Sequence, residues 1–317
     1  MRCHNAAPSI RTNAATQSRA AVPREVGVLL GNPAAVDMSP EASTGGREHH
    51  VRLAARGSTD RVEWSFRVSP EIPNPQPVPP AGTPAVEAEG VCRRYGRRWA
   101  LVNVDLSLPL GSSLVVAGRN GSGKSTLFRV LSTLIRPDRG TTRILGLDPR
   151  ADLLSARRQV ALLSHHSNHH EALTALENLE VAARFLGLPP HRAALVPKLA
   201  EVGLAERADD PVTTFSAGMR KRLTLARTLL QEAEVVLLDE PYGQLDPPGF
   251  RLVDDVVAAL RSRGATVLVA THQLERGAAL CERGLVLEAG RVAWTGPARD
   301  LVCGSGLDPA GLAEGGA

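Results

Sequence analysis

The sequence predicts an α/β fold with a parallel β core, and three observations predict it. The first is the string GRNGSGKST at residues 118–126, which has the form G-x-x-x-x-G-K-S. It lies between an apolar, β-branched stretch (113–117) and a stretch of helical periodicity (127–134). The second is an apolar run, residues 235–238, that ends in Asp239, Glu240 and Pro241. The third is the alternation of strand-like and helix-like segments from residue 86 onward. That alternation implies parallel strands, with loops carrying chemistry at their carboxyl ends.

The elements follow in order. Residues 1–83 are rich in Ala, Arg, Ser and Pro and keep no sustained period. They read as a largely disordered extension, either a tail or the product of an early start codon. Segments 26–30 and 62–68 are candidate isolated strands, and residues 69–80 form a stiff Pro-rich linker. The folded domain spans 84–300. Residues 86–91 and 99–108 read as strands, the second alternating at Val102, Val104, Leu106 and Leu108. Short strands at 143–145 and 159–163 flank a small helix. A helical subdomain covers about 172–232, interrupted at Pro189, Pro190 and Pro211. Strands return at 235–238 and 266–270 around a helix at 249–261. Two last strands, 284–287 and 291–294, flank Glu288, Ala289 and Gly290. Residues 301–317 are a Gly-rich, flexible tail.

Composition narrows the function classes. No run of 18 or more uncharged apolar residues exists, so no membrane-spanning helix is expected, and the N-terminus lacks the apolar core of a secretory signal. The four cysteines lie far apart with no C-x-x-C pair, which argues for reduced thiols. The net charge of +4 is mild and aromatics are 3% of the chain, so no base-stacking platform is read and no nucleic-acid partner is expected.

The glycine-rich string dictates phosphate chemistry. Gly118, Gly121 and Gly123 let the backbone curl so that its N–H groups face an anion, with Arg119, Asn120 and Ser122 filling the turn. Lys124 brings a compact charge to β- and γ-phosphates. Ser125 offers a hydroxyl to Mg²⁺, and Thr126 opens the helix whose positive end also meets the phosphates. The expected ligands are therefore a nucleoside triphosphate and Mg²⁺. A buried strand ending at Asp239 delivers a carboxylate that can hold the same cation through its water shell. Glu240 follows, placed to deprotonate or orient an attacking water. Further upstream, Ser216 is a natural N-cap, with Ala217, Gly218 and Met219 in the first turn, so that helix start also offers backbone donors to a phosphate.

In that order, with Leu245, Asp246, Thr271 and His272 behind them, these motifs resemble the ATPase subunits of ATP-binding cassette (ABC) transporters over roughly residues 86–296. The resemblance implies a phosphate-loop NTPase fold with an N-terminal antiparallel β subdomain and an α-helical subdomain, and it implies that the nucleotide is ATP. It implies that residues 215–219 are the signature that caps the γ-phosphate held by a second protomer, with Asp246 at the seam between the two. It makes His272 the switch histidine and Tyr95 the aromatic that stacks on adenine, with Trp99 as substitute. It places His165 where the family has a glutamine. The chain departs from the family in Ala217 and Met219, and in the run of four histidines between 165 and 170. Metal binding by those histidines is the weaker reading, since loop histidines are usually solvated.

His165 and His166, then Leu173 through Leu179, Ala217, and Thr271, His272 and Gln273 are similar to the haem exporter ATPases of cytochrome c maturation (CcmA-like). Phe215, Ser216, Gly218, Met219 and Arg220 also resemble multidrug and polysaccharide exporters of the ABC-2 class. Haem export is the first expectation and ABC-2 export the alternative; a soluble, non-transport ABC ATPase ranks third. Either export reading implies a peripheral ATPase on the cytoplasmic face of the cell membrane, working as a homodimer or a pair of ABC subunits with integral-membrane permease subunits.

Overall fold

A computed structural model of the chain describes residues 35–37, 48–54, 61–67, 82–164 and 169–302. Within the stretch expected to lack structure, strands β1 (Ala35–Asp37), β2 (Glu48–Ala54) and β3 (Arg61–Arg67) pair as an antiparallel sheet. β3 matches the candidate strand at 62–68. The candidate at 26–30, the Pro-rich linker and the tail beyond 302 lie outside the described residues.

The domain proper opens with β4 (Val86–Tyr95) and β5 (Arg98–Leu108), an antiparallel hairpin whose inward positions, such as Val86, Ala88, Val91, Leu101, Val104 and Leu108, are buried. β6 (Ser113–Ala117) leads into the glycine-rich loop and α1 (Lys124–Leu131). The helix sits a few residues earlier than the 127–134 periodicity suggested, because Thr133 adopts a left-handed backbone that stops it. β7 (Arg139–Ile144) adds to β4 and completes the three-stranded sheet β5–β4–β7. Its first half, Arg139 to Thr142, is polar, so only its end was visible as a strand.

α2 (Leu153–Gln159) and β8 (Val160–Leu163) precede the helical subdomain: α3 (Ala175–Leu186), α4 (Arg192–Glu201) and α5 (Ala217–Leu230). β9 (Val235–Asp239), α6 (Pro247–Ser262), β10 (Thr266–Ala270), α7 (Leu274–Leu280), β11 (Arg283–Glu288) and β12 (Arg291–Pro297) complete the chain. The sequence did not suggest α7, which spans seven residues and contains a glycine. That glycine is required: a Cβ on Gly277 would stand 2.6 Å from Cγ2 of Val115, so its absence lets α7 lie against β6.

The central sheet runs β12–β11–β6–β10–β9–β8, parallel except for the edge strand β12. Every residue of β6, β9 and β10 is buried, as strands covered on both faces must be. Alternate residues point to opposite faces. Val115, Val236, Leu238, Val267 and Val269 meet the core shared with α3, α5 and α6. Leu114, Val116, Leu237, Leu268 and Leu285 meet the core shared with α1 and the antiparallel sheet. The parallel register aligns Ala270 with both Val116 and Asp239. The ends of β6, β9 and β10 therefore emerge side by side, and each delivers one of the predicted motifs.

Candidate active site

Those strand ends open onto a cleft of about 630 Å³. Tyr95, Arg98, Ala100, Asn120, Gly121, Gly123, Lys124, Ser125, Thr126 and Glu240 line it. Gly123 sits at φ 114°, and a Cβ there would lie 2.6 Å from the carbonyl oxygen of Ala100. A larger residue would push the loop off the β5 strand.

Lys124 is 6% exposed, and its Nζ donates to the carbonyls of Gly118 (2.7 Å) and Arg119 (3.2 Å). Burial pulls its ammonium below the ordinary lysine value, while the nearby charges of Glu240 and Asp239 oppose that shift. Asp239 is 4% exposed, and its Oδ1 has no hydrogen-bond partner. The buried Ser122 hydroxyl also lacks one. An orphaned, buried carboxylate oxygen next in sequence to the cleft-lining Glu240 suits a hard cation, which takes one or two protein oxygens and completes its shell from phosphate and water. Ser125 and Asp239 thus fit Mg²⁺. Among the described residues, no group of three or more His, Cys, Asp or Glu is arranged to hold a metal.

Glu240 has a left-handed backbone (φ 47°), uncommon for a non-glycine residue, and its N–H donates to the carbonyl of Ala270 at 2.8 Å. That turn brings its carboxylate round to the cleft. Nδ1 of His272 lies 2.9 Å from Oε2 of Glu240. A carboxylate only accepts, so Nδ1 carries the proton, and the other ring nitrogen of a neutral imidazole is an acceptor.

The hairpin separates the two candidate aromatics. Tyr95 lines the cleft beneath Arg93, whose guanidinium lies 5.2 Å from the ring centroid. Trp99, one position past the cleft-lining Arg98, packs under Arg94 at 5.8 Å and is not among the cleft residues. Sequence reasoning missed Arg98. The signal was there: Arg93, Arg94, Arg97 and Arg98 interleave with Tyr95 and Trp99 in one short hairpin.

The signature segment lies apart from this cleft. Ser216 caps α5, its Oγ accepting from the N–H of Met219 at 3.2 Å. Its neighbour is the loop before α6. A Cβ on Gly218 would sit 3.2 Å from the carbonyl of Gln244, and Arg222 reaches Asp246 at 3.4 Å. Asp246 itself N-caps α6, accepting from Gly249 at 3.0 Å, ahead of Pro247 in the first turn. Neither Ser216 nor Asp246 lines the cleft of its own chain.

His165 and His166 lie outside the described residues. His169 does not face solvent. Its Nε2 is 2.9 Å from both the carbonyl of Arg220 and Oγ1 of Thr224 on α5, and burial lowers its proton affinity. The sequence read this residue only as one of a loop cluster.

A family description, ABC transporter, matches residues 101–243. The chain is 40% identical over 226 residues to the daunorubicin resistance ATP-binding protein DrrA3 of Streptomyces coeruleorubidus, covering 71% of this chain and 72% of that one. It is 36% identical to the Nod factor export ATP-binding protein I of Mesorhizobium japonicum, covering 68% of this chain and 65% of that one. Among solved structures, a dimeric post-hydrolysis state of the ATP-binding cassette MJ0796 bound to ADP and Pi aligns with a TM-score of 0.61 and 26% identity, over 68% of this chain and 99% of that one. The ATP-binding cassette fold, the order of the phosphate-binding and acidic motifs, and these relatives agree: the chain belongs to the ABC transporter family, as an ATP-binding, ATP-hydrolysing subunit.

Proposed function

We propose that two copies of this chain, or one copy and a similar subunit, sandwich two ATP molecules and drive export through a separate integral-membrane permease, from the cytoplasmic face of the membrane. The observation that carries this reading is the contact between Glu240 and His272 at the edge of a cleft that also holds Lys124. A base, its partner and a phosphate-binding cation converge there. Tyr95 stacks on the adenine. The backbone of residues 118–126 and Lys124 grip the phosphates, and Arg98 adds a cation on the Tyr95 side. Ser125 and Asp239 would hold Mg²⁺, which would supply positive charge to offset that of the phosphates. Glu240 accepts a proton from the attacking water, and His272 holds that carboxylate in place by donating from Nδ1.

The cleft of one chain lacks Ser216, Ala217, Gly218, Met219 and Asp246, so a second chain must supply the donors at the far side of the γ-phosphate. Because both chains touch that group, its presence favours the closed pair and its loss favours opening. The helical subdomain that follows His165 in the sequence relays this motion toward the permease.

For the cargo, the relatives favour ABC-2 export over haem export. They are named for daunorubicin resistance and Nod factor export, whereas haem export rests only on the resemblance at His165, His166, Leu173 through Leu179, Ala217 and Thr271 through Gln273. The test of the catalytic assignment is Glu240→Gln. ATP binding is expected to persist while hydrolysis falls by about 10² or more. Hydrolysis at the parent rate would reject Glu240 as the base.

A further inference from the structure

Behind the Glu240–His272 contact lies a second set of side chains to which the ATPase reading assigns nothing. Tyr242, two residues past Glu240, is 1% exposed and donates its hydroxyl to Oδ1 of Asp254 on α6 at 2.8 Å. Arg276 on α7 donates to the other carboxylate oxygen of Asp254 at 2.7 Å. The same guanidinium lies 5.1 Å from the ring of Phe250 and 5.9 Å from that of Tyr242, and these two rings meet edge to face at 5.7 Å. Burial and the Asp254 carboxylate hold the tyrosine hydroxyl protonated, so it stays a donor.

The connections close a ring. Glu240 is joined to Tyr242 through Pro241 in a tight turn, in which Gly243 N–H donates to the Glu240 carbonyl at 3.2 Å. Tyr242 is tied to α6, α6 to α7 through Arg276 in the first turn of that helix, and α7 follows directly on His272 and its N-cap Gln273; His272 returns to Glu240 at 2.9 Å. The backbone of Glu240 is held in a left-handed conformation, which persists only where its surroundings fix it. A loop of this kind and a short helix set a carboxylate–imidazole distance reproducibly only if something spans them.

We propose that Tyr242, Asp254 and Arg276 form a brace that sets the placement of Glu240 relative to His272, and that they are positioning residues for ATP hydrolysis. The inference rests on the catalytic reading of that pair. It also ties α6, whose N-cap is Asp246, to the catalytic edge, so a displacement at the subunit seam is felt at the base.

The test pairs kinetics with a spectroscopic readout on the full-length protein. Tyr242→Phe keeps the ring and its packing and removes only the hydroxyl. The expected result is a kcat for ATP about tenfold lower with KM within about twofold of the parent, since small misplacements of catalytic groups cost rate rather than binding. The ¹⁵N resonance of His272 Nδ1 is expected to shift in the same variant. Arg276→Met is expected to behave alike, and Arg276→Lys, which can still reach Asp254, to recover most of the rate. If Tyr242→Phe and Arg276→Met lower the melting temperature but leave kcat and the His272 signal at parent values, the brace is purely structural and the proposal falls. A change in KM alone overturns it as well. Glu240→Gln, assayed alongside, separates the two readings. If it keeps the parent rate while Tyr242→Phe loses rate and shifts the histidine signal, the brace acts through His272 alone and Glu240 loses its assignment as base. If it is inactive while Tyr242→Phe matches the parent, the brace alone is overturned.

Discussion

Lys221 shows how strongly single residues feel the site. It is buried on α5, and burial pushes its ammonium down to about 8, against the pull of Asp239 and Glu240. Between about 8 and the ordinary value of 10.5 the folded chain binds fewer protons here than the unfolded chain, so stability rises with pH across that window. Below 8 the cost of the buried charge is fully present. Lys221→Met is therefore expected to stabilise the nucleotide-free protein at pH 7 by on the order of 2 kcal/mol in urea unfolding. The advantage should shrink above pH 8, and an advantage independent of pH would contradict this cause. Lys124→Ala acts on the ligand instead. It removes the cation proposed to meet the phosphates, and the expected ATP affinity is lower by at least about tenfold in a fluorescence titration. Unchanged affinity would reject the phosphate-cradle assignment.

At the scale of elements, caps fix where the helices begin. Thr174 and Glu177 form a reciprocal capping box on α3, at 3.2 and 2.7 Å. Thr174→Ala is expected to cost about 1 kcal/mol in urea unfolding with little change in specific ATPase rate. Ser216→Ala removes a comparable cap from α5 but also a donor proposed to face the partner's nucleotide, so its expected signature is a loss of hydrolysis well beyond that of Thr174→Ala. Equal behaviour of the two variants would make Ser216 a cap and nothing more.

Elements also show what was legible in the chain. β6, β9 and β10 could be read because buried parallel strands are continuous apolar runs, and their ends carry motifs whose spacing is chemically demanding. α5 could be read from Ser216. The first half of β7 could not, because its ladder partner, not its polar residues, makes it a strand. α7 is short and packs through Gly277, so it leaves almost no periodic signal. The brace was invisible for a related reason: Tyr242, Asp254 and Arg276 come together only when three separate elements pack. The role of His169 was hidden as well, since nothing in a histidine-rich loop says which ring turns inward to α5.

At the scale of the molecule, the described residues hold no helix long and apolar enough to cross a membrane, which agrees with an ATPase that works beside a separate permease. Ser216 and Asp246 are not among the residues of the cleft with Lys124 and Glu240, and under the proposed reading the cleft and the capped start of α5 are two halves of one site, completed by a second copy. Each half has what the other lacks. The most direct measurement is light scattering on Glu240→Gln with Mg²⁺-ATP, with Lys124→Ala as the control. The account predicts that ATP doubles the mass of the first protein and leaves the second unchanged, and that adding Ser216→Ala to Glu240→Gln abolishes the doubling. A Glu240→Gln protein that binds ATP tightly yet stays a single chain would contradict it.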